Sequence, residues 1–234
     1  MKIKSIVAIA SLLLLSLLPK ASFADTLDLV GVGGQYTDGV AVYPYVFNID
    51  GNSTNVDLSC LSYNREVSVG ETWTANAYNV LSIPTNQLDN LSEQQFIEDA
   101  WLYNKYATAT PGSAEVSNIQ FAIWDVMDSA VSSTSGYTSG DAATLVGGAL
   151  SAYNAYVANP GANSAQFASD KVYIPVDGSE SNNDGIPQIF MGTAPAGSPG
   201  NEPPPAATPE PSSLALLGTG MLGVVGLMRR RIAA

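Results

Sequence analysis

The 234-residue chain has no histidine. Ser-His-Asp triads, Cys-His pairs and most catalytic zinc sites are thereby excluded, because each needs an imidazole. Cysteine occurs once, at Cys60, so no internal disulfide can form. A single thiol is left with three fates: pairing with another chain, inert burial, or reactivity. Positive charge is equally scarce. Of nine basic residues, Lys2, Lys4 and Lys20 lie near the N-terminus and Arg229, Arg230 and Arg231 near the C-terminus, leaving only Arg65, Lys105 and Lys171 between them. Residues 25–208 therefore hold 20 acidic residues against 3 basic ones, a net charge of −17. Such a surface favours solubility and repels polyanions, so nucleic-acid binding is excluded.

What is present is concentrated first at the two ends. "MKIKSIVAIASLLLLSLLPKASFA", residues 1–24, combines two early lysines, a short apolar run and small residues at Ser22 and Ala24. This is the pattern of a secretory signal peptide, and the mature chain is expected to start near Asp25. At the other end, Pro209, Glu210 and Pro211 precede an uncharged, Gly-rich stretch over 212–228, followed by Arg229, Arg230 and Arg231. That stretch is long enough to span a bilayer with the arginines on the cytoplasmic side. The order of the three parts resembles the PEP-CTERM sorting signal of Gram-negative bacteria. The resemblance implies export, processing near Pro209–Pro211 by an exosortase-type membrane protease, transient anchoring in the inner membrane, and delivery to the outer surface or an extracellular matrix. Between 192 and 208, "GTAPAGSPGNEPPPAAT" reads as a semi-extended spacer that cannot pack a core. The sorting segment then occupies 209–234, and one folded domain is expected over 25–191.

Within that domain, "LDLVGVGG", "GVAVYPYVFNI", "STNVDLSCLSYN" and "VSVGETWTANAYNVLSI" read as strands punctuated by Gly, Asp and Asn. The period then lengthens. "NLSEQQFIEDAWLYNKYA" opens with Ser92 and Gln95 in capping-box spacing, and "SNIQFAIWDVMDS", together with Val116 just before it, puts Val116, Ile119, Ile123, Val126 and Met127 at helical spacing. A third helix fits "SGDAATLVGGALSAYNAYVANP", with Leu145, Val146, Ala149, Leu150, Tyr153 and either Tyr156 or Val157 inward and Pro160 as a stop. "KVYIPV" and "PQIFMG" return to strand. The expected class is α+β: a β-rich scaffold, sandwich or barrel-like, with a helical subdomain inserted between the cysteine strand and the closing strands.

Candidate sites are few. In "DGSESNNDG", residues 177–185, Glu180, Asn182, Asp184 and Gly185 mimic the start of a calcium loop, but the twelfth position from Glu180 is Met191 where a bidentate glutamate is needed, so it reads as a solvated loop. Glu98, Asp99, Asp125 and Asp128 could supply the two carboxylates of a glycosidase, and equally suit a solvated helix face. Gln120 is different, because it puts an amide among apolar residues. A thiol attacking that amide expels ammonia and leaves a γ-glutamyl thioester, an activated acyl group. The chemistry needs one cysteine without competitors, one glutamine held against it, and exclusion of water.

"IQFAIWDV", residues 119–126, resembles the Gln-x-Ala-Ile-Trp segment of the thioester domains of bacterial surface adhesins. "LSCLSYN" with "VSVGETWTANAYNV" is similar to their cysteine strand and its successor, and "DAWLYNKYA" to the intervening helix. Cys60 follows Ser59 where the family commonly has an aromatic residue. What the resemblance implies is a bond between Cys60 and Gln120 that captures an amine or hydroxyl on a surface or matrix target. Ile123 and Trp124 would shield the bond, and Trp101 and Tyr103 would line the same interface. Such a binder is not an enzyme and needs no cofactor or metal. The alternatives are a non-reactive structural or polysaccharide-associated matrix protein, in which Gln120 is a hydrogen-bonded core amide and Cys60 an inert thiol, and, more remotely, a carbohydrate-active enzyme.

Overall fold

The protein is described by a computed structural model over residues 24–87, 91–137, 139–176 and 187–193. Strands β1 (Asp25–Val32), β4 (Tyr45–Ile49), β5 (Val56–Cys60), β6 (Thr72–Asn79), β7 (Asp170–Pro175) and β8 (Phe190–Thr193) form one sheet. It closes as an antiparallel barrel in the order β1-β4-β5-β8-β7-β6, with β6 returning to β1. A separate hairpin joins β2 (Tyr36–Thr37) and β3 (Val40–Ala41). Four α-helices follow β6 and precede β7: α1 (Glu93–Tyr103), α2 (Ala114–Met127), α3 (Ser139–Ala158) and the single turn α4 (Pro160–Asn163). The class is thus α+β, and of the two expected sheet forms the barrel is the one adopted.

Local chemistry accounts for these elements. In β1 and β4 alternate residues are buried, Leu27 and Leu29 on one and Tyr45, Phe47 and Ile49 on the other, as period-two burial requires. Two Asp-Gly pairs supply the turns. Asp38 and Gly39, with φ of 53° and 84°, close the β2-β3 hairpin, and Asp50 and Gly51, at 55° and 67°, turn the chain out of β4. Both central residues lie in the left-handed region that this tight turn demands. Inside the barrel, Phe190 packs edge-on against Phe47 and Tyr45, with ring centroids 4.7 and 5.4 Å away. β7 is buried at every residue.

The capping box of α1 is present: Ser92 accepts from the Gln95 backbone N–H, and the Gln95 side chain accepts from the Ser92 backbone N–H. Two expectations need correction. Leu150 faces outward, 44% exposed, and of the pair Tyr156 or Val157 it is Tyr156 that packs on the core. Leu145, Val146 and Tyr153 pack inward as expected beside the buried Ala142 and Ala149, and α3 comes so close to α1 that a Cβ at Gly148 would lie 2.7 Å from the Trp101 ring. Strand β8 also continues through Gly192 and Thr193, which pair with Lys171 and Asp170, two residues past the expected start of the spacer. The loop at 177–185, all of the expected signal peptide 1–24 but its last residue, the rest of the spacer and the 209–234 tail lie outside the described residues. Among the described residues no helix is long and apolar enough to cross a membrane.

Burial of carboxyl groups gives the domain a pH signature. Asp25 is raised to about 6 by burial and by the neighbouring Asp50, and Asp170 to about 6 by burial against opposing hydrogen bonds from Asn104 and Ser169. Because these folded-state values lie above the unfolded ones, the native state holds more protons between pH 4 and 6, and stability falls as pH rises through that window. The urea midpoint is expected to be higher at pH 4.5 than at pH 7. Asp25→Asn should raise the pH 7 midpoint and leave the pH 4 midpoint nearly unchanged.

Candidate functional site

Cys60 is the last residue of β5, and Gln120 lies in the middle of α2; both are fully buried. Register explains which way the strand faces. Cys60 pairs with Phe190, whose ring fills the barrel, and Ser59 pairs with Met191 on the opposite face. Ser59 therefore turns toward the helices, while Cys60 sits at the rim where the strand ends. Its Sγ donates to the Ser62 carbonyl at 3.3 Å. Burial pushes the thiol up to about 12, tempered by the Ser62 backbone and by the Trp124 indole beside it. That indole N–H is buried and makes no hydrogen bond of ordinary geometry.

The Gln120 amide is the polar link between helix and strand. Its Nε2 donates to the Cys60 carbonyl at 2.7 Å, and its Oε1 accepts from Ser59 Oγ and from Tyr106 OH, each at 3.2 Å. Three contacts account for a buried amide that would otherwise cost several kcal/mol. Helix α2 is held at both ends. At its start, Gln35 Nε2 donates to the Ser113 carbonyl at 3.0 Å and to Ser117 Oγ at 3.1 Å. At its close, Gln95 Nε2 donates to the Val126 carbonyl at 2.9 Å. Asn64, in the loop after Cys60, donates to Asp128 at 2.7 Å, so the loop leaving the strand is tied to the same helix end.

The shielding residues fall into two groups. Ile123 and Trp124 are buried one turn beyond Gln120, and Tyr63 from the post-cysteine loop meets the Trp124 ring edge-on at 5.1 Å. Tyr103 reaches the barrel, donating to the Asp57 carbonyl at 3.4 Å, and lies edge-on to Tyr106 at 6.1 Å. Trp101 is turned to α3 instead, with its ring against Gly148 and Lys105 Nζ 4.1 Å from its centroid.

Ser59 and Tyr106 escaped the sequence reading as partners of Gln120. Ser59 stood out only as a departure from an aromatic residue. Tyr106 lies in a 3-10 turn after α1, and helical periodicity says nothing of where a side chain beyond a helix end will reach.

The carboxylates do not gather into a hydrolytic pair. Asp125 accepts from Tyr137 OH at 3.1 Å, while Asp128 caps the following turn by accepting from the Ala130 N–H at 3.0 Å. Glu98 and Asp99, read as a solvated face, are buried instead. Burial, then Glu98 beside it, holds the Asp99 carboxyl well above the usual range, and neither of its oxygens has a hydrogen-bond partner. Among the described residues there is no group of three or more His, Cys, Asp or Glu that could hold a metal ion.

Comparison with known proteins identifies the tail. A PEP-CTERM protein-sorting motif matches residues 207–231. The motif marks an exported protein that is recognised by exosortase and sorted by way of the membrane. No curated protein and no solved structure matches the chain.

The amide network has a measurable weight. In a Cys60→Ala background, Gln120→Leu removes the partner of the Cys60-position carbonyl, Ser59 Oγ and Tyr106 OH while keeping an apolar residue of similar size. Each stranded buried group costs about 1–3 kcal/mol, so a loss on the order of 3 kcal/mol or more is expected from urea unfolding.

Proposed function

We propose that the exported domain carries a thioester between Cys60 Sγ and Gln120 Cδ and uses it to attach covalently to an amine or hydroxyl on a surface or matrix target. The observation that carries this reading is the 2.7 Å hydrogen bond from the Gln120 amide to the carbonyl of the chain's single cysteine, in a fully buried site. Burial excludes the water that would hydrolyse the bond, and the tethers on both ends of α2 fix the amide in place.

The chemistry balances without a cofactor. The thiol leaves the Ser62 carbonyl, Sγ bonds to Cδ, the C–N bond breaks, and the thiol proton departs with ammonia. Later an amine or hydroxyl attacks Cδ, the S–C bond breaks, the nucleophile's proton returns to sulphur, and an amide or ester remains. Each chain reacts once, so the domain is an adhesin-like binder and not an enzyme. In this reading the helical block is the inserted subdomain that presents Gln120, and Ile123, Trp124 and Tyr103 screen the bond. In this reading exosortase processing delivers the domain, on its stalk, to the outer surface or matrix of a Gram-negative bacterium, a destination that the sorting motif at 207–231 supports. Because the site is fully buried, capture requires the post-cysteine loop with Tyr63 to move. Tyr63→Ala is expected to speed both capture of methylamine and spontaneous hydrolysis, read as thioester lifetime by intact mass.

A second reading is favoured by the three hydrogen bonds that hold Gln120: the amide is a structural bridge, Cys60 an inert buried thiol, and the protein a non-reactive matrix component. Intact mass of the exported chain, purified without amine buffers beside Cys60→Ala, separates the two. The thioester reading expects a wild-type mass lower by one ammonia, replaced by methylamine when that is added, and no deficit in the variant. A full unmodified mass with a free thiol in fresh material would leave the matrix-component reading.

A further inference from the structure

We propose that Ser59 and Tyr106 form the oxyanion site of this reaction, donating their hydroxyl hydrogens to Gln120 Oε1 as charge develops on it; the inference rests on the thioester reading. When sulphur adds to Cδ, the amide carbonyl becomes a tetrahedral centre and Oε1 takes up a full negative charge. The same happens when a nucleophile later adds to the thioester. One pair of donors aimed at that oxygen therefore assists both formation and capture.

The geometry fits a donor pair for the intermediate better than one for the ground state. Both O···O distances are 3.2 Å, longer than the 2.7–2.8 Å of a relaxed hydroxyl hydrogen bond. A hydrogen bond to an ionised oxygen is shorter and about twice as strong as one between neutral groups, so both contacts gain as charge appears. Interactions that strengthen only at that stage are the ones that accelerate a reaction.

Both donors are also fixed in place. Strand register points Ser59 at the helices, next in sequence to the nucleophile, while the Tyr106 ring stacks on Tyr43 with centroids 3.8 Å apart and planes 9° apart. Burial holds the Tyr106 phenol well above its ordinary range, so it keeps its proton and remains a donor at every physiological pH. The three cations of the domain lie elsewhere in the hydrogen-bond pattern: Arg65 donates to the Pro187 carbonyl at 3.3 Å, Lys105 sits over Trp101, and Lys171 belongs to β7. In a chain without histidine, two neutral hydroxyls supply what a charged or imidazole donor supplies elsewhere.

The test uses the exported full chain with Tyr106→Phe, Ser59→Ala and the double substitution, each checked for native far-ultraviolet circular dichroism. Intact mass follows loss of ammonia and then the rate at which methylamine is incorporated. Each single substitution is expected to slow methylamine capture on the order of 100-fold, the effect of deleting one oxyanion donor, and the double substitution to slow it further. Site-specific replacement of Tyr106 by a fluorotyrosine keeps the ring in place and strengthens the donor, so capture should accelerate; a purely structural tyrosine would not produce this response. If any substituted chain fails to fold, the fluorotyrosine protein alone decides. A wild-type chain of full mass overturns the thioester reading itself. A wild-type chain one ammonia lighter, with capture unchanged in the substituted chains or not accelerated by fluorotyrosine, overturns the oxyanion assignment and leaves the thioester standing.

Discussion

The side-chain amide of Gln120 is the interaction on which the arrangement of helices and barrel depends. A primary amide has two donors and two acceptor sites, and in an apolar interior it must be matched or it destabilises the fold. Here it reaches the carbonyl of Cys60 on one side and the hydroxyls of Ser59 and Tyr106 on the other. Those partners come from a strand end and from the turn after α1, so one side chain on α2 joins three separate parts of the chain. The fixed termini of α2 serve the same end, because a helix free to slide by a fraction of a turn would lose all three contacts at once.

The same constraint bears on chemistry. A group held by several hydrogen bonds in a dry interior is well placed to be a structural bridge, and the proposed reaction with the neighbouring thiol would draw on the same fixed placement. The high proton affinity of the Cys60 thiol follows from its complete burial, the same condition that the proposed thioester would need to escape hydrolysis. The loop carrying Tyr63 covers the C-terminal end of α2, tied to it through Asn64 and Asp128 and packed edge-on against Trp124.

Much of the framework was legible before any coordinates. Alternation in β1 and β4, the Asp-Gly turns, the Ser92–Gln95 capping box and the apolar stripe around Gln120 are local patterns, and local patterns follow from φ/ψ preference and side-chain period. The sense of burial was less legible where an element touches neighbours on several sides. Glu98 and Asp99 read as solvent-facing, yet α1 packs against other helices and against the barrel, leaving two carboxyl groups inside. Leu150 read as inward, yet it is 44% exposed while Leu145, Val146, Tyr153 and Tyr156 of the same helix pack on the core.

By itself, then, the sequence determined the PEP-CTERM tail, the acidic character, the absence of imidazole chemistry, and the presence of one cysteine and one conspicuous glutamine, since each is a matter of residue type, order and count. Only the tertiary structure decided that the sheet closes into a barrel, that Ser59 reaches the Gln120 amide oxygen, and that Tyr106 arrives at the same atom. Those outcomes depend on strand register and on where a side chain beyond a helix end comes to rest. Both are fixed by contacts between residues far apart in the chain, for which periodicity carries no signal.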